Sequence, residues 1–183
     1  MNKQEILIGV TAGIAAYKTG DLVSRLVQSG YGVSVMMTRE ADSLIGRRIF
    51  QALTGRVVQV EMFCSTDEAI PHIDSGRKAD LFCIAPATAN ILGKAANGIA
   101  DDLLSTTVLA FDGPLLWVPA MNVQMWKNAA VQRNVSQLQA DGHQILGPES
   151  GHLACGETGM GRMVSPEMIF QTIERFFSSR ESL

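Results

Sequence analysis

The 183-residue chain lacks an excess of either charge: 15 Lys and Arg stand against 18 Asp and Glu, a formal net charge of −3. It also lacks any run of Lys or Arg, so it has no electrostatic footprint of a nucleic-acid binder. Long hydrophobic runs are missing too. Met1-Asn2-Lys3-Gln4-Glu5 passes directly into an apolar run that is too short for a signal peptide or a membrane span. Cysteine is scarce: Cys64, Cys83 and Cys155 make an odd set with no CxxC spacing. That argues against a disulfide framework or a zinc site, predicts no metal, and points to reduced thiols in the cytoplasm. Repeats, low-complexity stretches and linkers are absent as well. The whole of 1–183 is therefore expected to form a single domain around one core.

What is present is an ordinary globular balance, 46% hydrophobic and 18% charged. Short apolar runs predict strands over 5–10, 32–37, 57–60, 80–85, 114–118 and 143–146. Between them, helical spacing predicts helices over 14–29, 43–52, 88–96, 101–111 and 122–141, with a last helix over 165–178. Strands alternating with helices imply βαβ units, a mostly parallel sheet and helices on both faces. Ligands of such sheets sit beyond the carboxyl ends of the strands. Cys83 falls inside an apolar run and reads as a small core hydrophobe.

Four segments lie at that edge. Gly9-Val-Thr-Ala-Gly13-Ile-Ala-Ala-Tyr-Lys18 joins the first strand to the first helix. Its small residues and free helix-start N–H groups suit a phosphate, and they equally suit a tight turn. It is neither GxGxxG nor a Walker loop. Ala85-Pro86-Ala87-Thr88-Ala89-Asn90 follows the buried strand. Thr88 fits helix capping, and the neighbouring amides offer a second set of phosphate contacts. In Pro119-Ala120-Met121-Asn122-Val-Gln-Met125-Trp126, the Asn122 amide can donate to a carboxylate or cap the next helix. The fourth segment, 147–163, holds five glycines around Cys155. Structureless stretches longer than ~12–15 residues are usually functional or disordered. The region 146–164 thus reads as a mobile substrate lid carrying Cys155 as proton donor or nucleophile, or as an exposed loop with an incidental thiol. Arg162 in the same segment can face a phosphate or carboxylate. Spacing alone does not rank His72, His143 and His152.

The combined motifs resemble the flavin-containing cysteine decarboxylases over about residues 6–176. They are Gly-Val-Thr-Ala-Gly-Ile-Ala-Ala-Tyr-Lys, Pro-His-Ile, Ala-Pro-Ala-Thr-Ala-Asn, Pro-Ala-Met-Asn-x-x-Met-Trp and Ala-Cys-Gly-Glu-x-Gly-x-Gly-Arg-Met. The resemblance implies an α/β, Rossmann-like three-layer αβα fold with a mostly parallel six-stranded sheet in the order 3-2-1-4-5-6. It implies FMN as cofactor, held at Ala12, Gly13, Ile14, Thr38, Thr88, Ala89, Asn90, Ile91 and Ala120. It places the catalytic roles on His72, Asn122 and Cys155, and substrate contacts on Asn122, Met125 and Arg162. It further implies a homo-oligomer, trimeric or dodecameric, with active sites between subunits. Ile91 stands where the family usually has a hydroxyl residue, and Thr88 keeps the hydroxyl of the usual serine.

Within the family the resemblance is strongest to the branch that decarboxylates phosphopantothenoylcysteine to phosphopantetheine in coenzyme A synthesis, through thioaldehyde and enethiolate intermediates. Many bacterial relatives fuse this domain to the ligase that makes the substrate; with the chain ending at Leu183, a separate synthetase is expected as partner. The alternatives are a peptidyl-cysteine decarboxylase, a flavin prenyltransferase of the same fold, and a non-catalytic flavoprotein regulatory subunit.

Overall fold

The computed structural model describes residues 3–62 and 78–180. Five parallel strands run in the order β2-β1-β3-β4-β5: β1 (Glu5–Val10), β2 (Gly32–Met37), β3 (Leu81–Ala87), β4 (Leu115–Pro119) and β5 (Gln144–Ile145). The helices are α1 (Ala16–Gln28), α2 (Arg39–Ile45), α3 (Arg48–Thr54), α4 (Ala89–Ala96), α5 (Leu103–Ala110), α6 (Val123–Lys127), α7 (Ala129–Ala140) and α8 (Pro166–Arg180). A separate antiparallel pair, β6 (Glu149–His152) and β7 (Thr158–Arg162), stands outside the main sheet.

Side chains alternate across a strand, so each central strand feeds two cores. Ile6, Ile8, Cys83, Ala85, Leu116 and Val118 pack on one side, against Leu22 and Leu26 of α1 and Ile169 and Ile173 of α8. Leu7, Phe82, Ile84, Leu115 and Trp117 pack on the other, against Leu92 of α4, Leu104 of α5 and Leu138 of α7. Both faces are covered, which is why these strands read as unbroken apolar runs. Truncating a fully buried leucine such as Leu22 to alanine costs ~2–5 kcal/mol. Among the described residues, no helix is long and apolar enough to cross a membrane.

Several expectations need correction. Among the described residues the sheet has five strands, not six. The strand expected at 57–60 shrinks to one parallel bridge between Met36 and Gln59. Arg56 is drawn to Glu5 at 2.6 Å and Ser34 at 2.9 Å, and Val57 is 79% exposed, so only Val58 and Val60 remain to bury. The helix expected at 43–52 is two helices. Thr38 Oγ1 accepts from Ala41 N at 3.2 Å and starts α2 early, and Gly46 at φ 74° ends it. The helix expected at 122–141 breaks at Asn128, whose extended backbone (ψ 131°) closes α6 while its side chain caps α7 at Ala130 N, 2.9 Å. The structureless region expected at 146–164 is largely the β6–β7 hairpin.

Candidate active site

The carboxyl ends of β1, β3 and β4 open into a cleft of about 330 Å³, roofed by the β6–β7 hairpin. Its inner wall comes from the β1–α1 and β3–α4 connections. Ala12, Ile14, Thr88 and Ala89 line it, and Ala120 and Met121 from the end of β4 extend it. These residues are small or apolar and bring backbone close to any ligand. Two helices begin here without a side-chain cap: α1 after Ala15 and α4 after Thr88. By contrast, Thr38, Asp102, Asn122 and Asn128 cap their helices with side-chain oxygens. The uncapped amide groups and helix dipoles of α1 and α4 leave partial positive charge at the cleft. Gly13 lies against this wall; an added Cβ there would meet the Pro86 ring at 3.4 Å.

The hairpin is fixed by close backbone approach. Met121 N donates to Gly161 O at 3.0 Å. Gly161 has φ 139°, and a Cβ there would sit 2.2 Å from Met121 O. A Cβ on Gly159 would press Val123 at 2.9 Å, and one on Gly151 would strike the Arg162 guanidinium. These glycines permit contact, whereas their sequence suggested mobility. The tip closes through Leu153 N to Glu157 O at 2.8 Å and Gly156 N to Leu153 O at 2.9 Å, with Cys155 exposed between them.

Asn122 and Cys155 both line the cleft, as do Met125 and Arg162. Asn122 Oδ1 accepts from Met125 N at 2.8 Å, which fixes its side chain and leaves the Nδ2 hydrogens without a partner among the described residues. Capping and carboxylate binding are thus compatible uses of one amide. Arg162 pairs with Glu149 at 3.0 Å across the base of the hairpin. Two further cleft residues were not singled out for the site from sequence: Lys18, whose Nζ donates to Met163 O at 3.4 Å, and His152. Lys18 lies in a motif already noted, one helical turn beyond the loop, which was the available signal. No Asp or Glu lines the cleft among the described residues.

A family model described as Flavoprotein matches residues 1–178. The chain belongs to the Flavoprotein family. It is 45% identical over 183 residues to the coenzyme A biosynthesis bifunctional protein CoaBC of Bacillus subtilis, an alignment covering 100% of this chain and 45% of that protein. It is 43% identical to the CoaBC protein of Escherichia coli K12, covering 96% of this chain and 43% of that one. The chain therefore spans less than half the length of these curated relatives. Among solved structures, a mutant PPC decarboxylase complexed with pantothenoylaminoethenethiol superposes with a TM-score of 0.86 at 28% identity, covering 97% of this chain and 100% of that one. The FMN-dependent cysteine decarboxylase SpaF superposes at 0.78 with 36% identity, covering 86% and 89%.

Other residues expected in this flavoprotein's site lie elsewhere. Thr38 and Asn90 line a second, more polar cavity of about 510 Å³ beside the end of β2. Ile91 buries its side chain in the core, so any ligand contact there falls to its backbone. His72 lies outside the described residues. His143 is structural: it stacks on Trp117, and its Nδ1 accepts from Trp117 Nε1 at 3.1 Å. Burial holds its pKa below the usual imidazole value, and the nearby Asp141 carboxylate partly opposes this. Cys83 is sealed in the core, where burial pushes its thiol up to about 12. No group of His, Cys, Asp and Glu among the described residues is placed to hold a metal ion.

Proposed function

We propose that this chain decarboxylates phosphopantothenoylcysteine to phosphopantetheine in coenzyme A biosynthesis, with FMN as cofactor. The observation that carries the reading is the meeting of Asn122 and Cys155 in one cleft whose lining, among the described residues, holds Lys18 and Arg162 and no carboxylate. Relatives named for coenzyme A biosynthesis align with 96–100% of the chain and support it.

The inner wall fits FMN. The uncapped starts of α1 and α4 suit its phosphate, and the small and apolar residues of the wall suit a flat ring system. Ala12, Gly13, Ile14, Thr88, Ala89 and Ala120 would hold it with the Ile91 backbone, and Thr38 and Asn90 would contact it from the adjoining cavity beside β2. When bound, FMN supplies a two-electron acceptor that is restored within the cycle, so the reaction is redox-neutral overall.

The protein's own residues then have separable tasks. Asn122 Nδ2 donates to the substrate carboxylate and holds it for loss as CO2. Cys155 would supply the proton that, together with the electron pair returned from the flavin, saturates the two-carbon unit and gives the thioethylamine end of the product. The ethenethiol held by the PPC decarboxylase mutant is unsaturated and already lacks its carboxylate, which supports placing protonation after CO2 loss. Lys18 and Arg162 face the substrate's phosphate and exclude peptides that lack one. The hairpin keeps water from the reacting carbon. Ile14 and Tyr17, 65% and 66% exposed at the cleft, would be covered by a second copy of the chain in a trimer or a dodecamer built from trimers. His72 would orient or deprotonate the substrate. A synthetase activity supplies the cysteine adduct.

The deciding experiment records the flavin spectrum of the purified protein, then follows CO2 loss by mass spectrometry on adding phosphopantothenoylcysteine or a peptide ending in cysteine. A yellow protein acting on the first substrate alone is expected. A colourless protein, or one acting only on the peptide, overturns the proposal.

A further inference from the structure

Two buried threonines stand at the carboxyl edge of the sheet and donate their hydroxyls to main-chain carbonyls. Thr11, 2% exposed, donates from Oγ1 to Pro86 O at 2.7 Å. Thr19, fully buried on α1, donates from Oγ1 to Ala85 O at 2.8 Å. They serve consecutive carbonyls because the sheet ladder fails there. The β3–β4 register shifts between Ile84 and Ala87, and Ala87 is paired with Pro119. Neither Pro86 nor Pro119 has an N–H to donate. Buried carbonyls without partners are costly, so side chains take over.

The two threonines differ in one respect. Thr11 Oγ1 also accepts from Thr88 N at 3.2 Å and lies 3.3 Å from Thr88 Oγ1. Its own carbonyl accepts from Gly13 N at 2.8 Å, closing the turn that leads into α1. Thr11 therefore bonds at once to the β1–α1 turn and to the residue that starts α4, without itself lining the cleft. We infer that Thr11 is a positioning residue that sets the spacing between the uncapped starts of α1 and α4, and so the affinity for a ligand phosphate held between them. Thr19 sits in the first turn of α1 but bonds only to a carbonyl within β3 and makes no bond to Thr88, so its loss bears on stability and leaves the start of α4 where it is. The inference rests on the FMN reading above.

The test uses the holoprotein and reads the fluorescence gained as FMN dissociates on serial dilution, with thermal unfolding in parallel. Thr11→Val leaves Pro86 O and Thr88 N–H unpaired and should weaken FMN binding about tenfold or more, the scale of one lost buried hydrogen bond. Thr11→Ser keeps the hydroxyl and should return the affinity to within about twofold of wild type. Thr19→Val should lower the melting temperature and leave FMN dissociation within about twofold. Thr11→Ala carries the same test if the valine variant does not fold. FMN retention by Thr11→Val at the wild-type level, equal weakening by Thr19→Val, or no rescue by serine would each overturn the inference. A wild-type protein that holds no FMN would instead sink the proposed function.

Discussion

The two walls of the cleft are built by opposite means. The inner wall is made of strand ends held from behind: Thr11 and Thr19 bond to carbonyls inside the sheet, and what faces the cleft is largely backbone and small side chains. The hairpin wall hangs from outside, by the Met121–Gly161 hydrogen bond and the long Lys18–Met163 contact, while the Arg162–Glu149 pair ties its own two strands together. That wall carries the exposed Cys155 thiol and few buried apolar groups. The difference separates two demands: a phosphate site needs fixed amides, while chemistry at a small carbon needs a wall that admits substrate and then excludes water. The same contrast divides the two described cysteines. Cys83 is locked in the rigid layer with its thiol pushed up to about 12, and Cys155 stands exposed on the hung one.

Substitutions on the hairpin, and at Asn122 beside the Met121 amide that anchors it, should damage turnover and spare flavin binding. The largest effect is expected from Cys155→Ser, which should cut phosphopantetheine formation by ~10²–10⁴-fold while CO2 release and flavin absorbance persist. Mass spectrometry of the quenched reaction distinguishes the stalled species, and normal product yield would remove Cys155 from its assigned role. Next comes Asn122→Asp. Aspartate caps α6 as well as asparagine does, so the fold should hold, but its charge opposes the substrate carboxylate and turnover should fall by roughly 10²-fold. Loss of FMN from that variant would break the division between the walls. Gly161→Ala should destabilise by about 1–3 kcal/mol, because its φ is positive and Met121 O occupies the Cβ position. Calorimetry and steady-state kinetics should show a lower melting temperature and lower turnover with flavin retained.

The smallest effect lies away from the cleft, at His143. Its folded pKa sits below the unfolded value of 6.5, so the unfolded chain binds the extra proton. Its contribution is full above that pH and is lost as pH falls through the window between 6.5 and the lower folded value. Denaturant titrations should show a shallower loss of stability below pH 6.5 in His143→Gln than in wild type.

The parts legible in sequence were those set by local chemistry. β1, β3 and β4 announced themselves because burial on both faces demands continuous apolar runs. The loops at their ends followed from topology. The helix breaks at Gly46 and Asn128 were missed because helical periodicity continues across them, and only the capping bonds of Thr38 and Asn128 reveal the stops. The hairpin was missed for a different reason. Its glycines are required by neighbours distant in sequence, Met121 and Val123, so their composition mimics a flexible loop. Thr11 offered one overlooked signal, a hydroxyl placed directly after a strand that is otherwise apolar and buried.

The hairpin's attachment has a mechanical consequence. Its fulcrum is the Met121–Gly161 hydrogen bond, and its load, the Cys155 thiol, rides at the far end of the arm. At ~3.3 Å per residue, the four residues of β6 make an arm about 13 Å long, and a tilt of roughly 5° at the base swings the tip by about 1 Å. A displacement of that size at a reacting atom is worth ~10²-fold in rate. The lever is thus geared so that a methyl group added at Gly161, far from the thiol, acts as a brake on it.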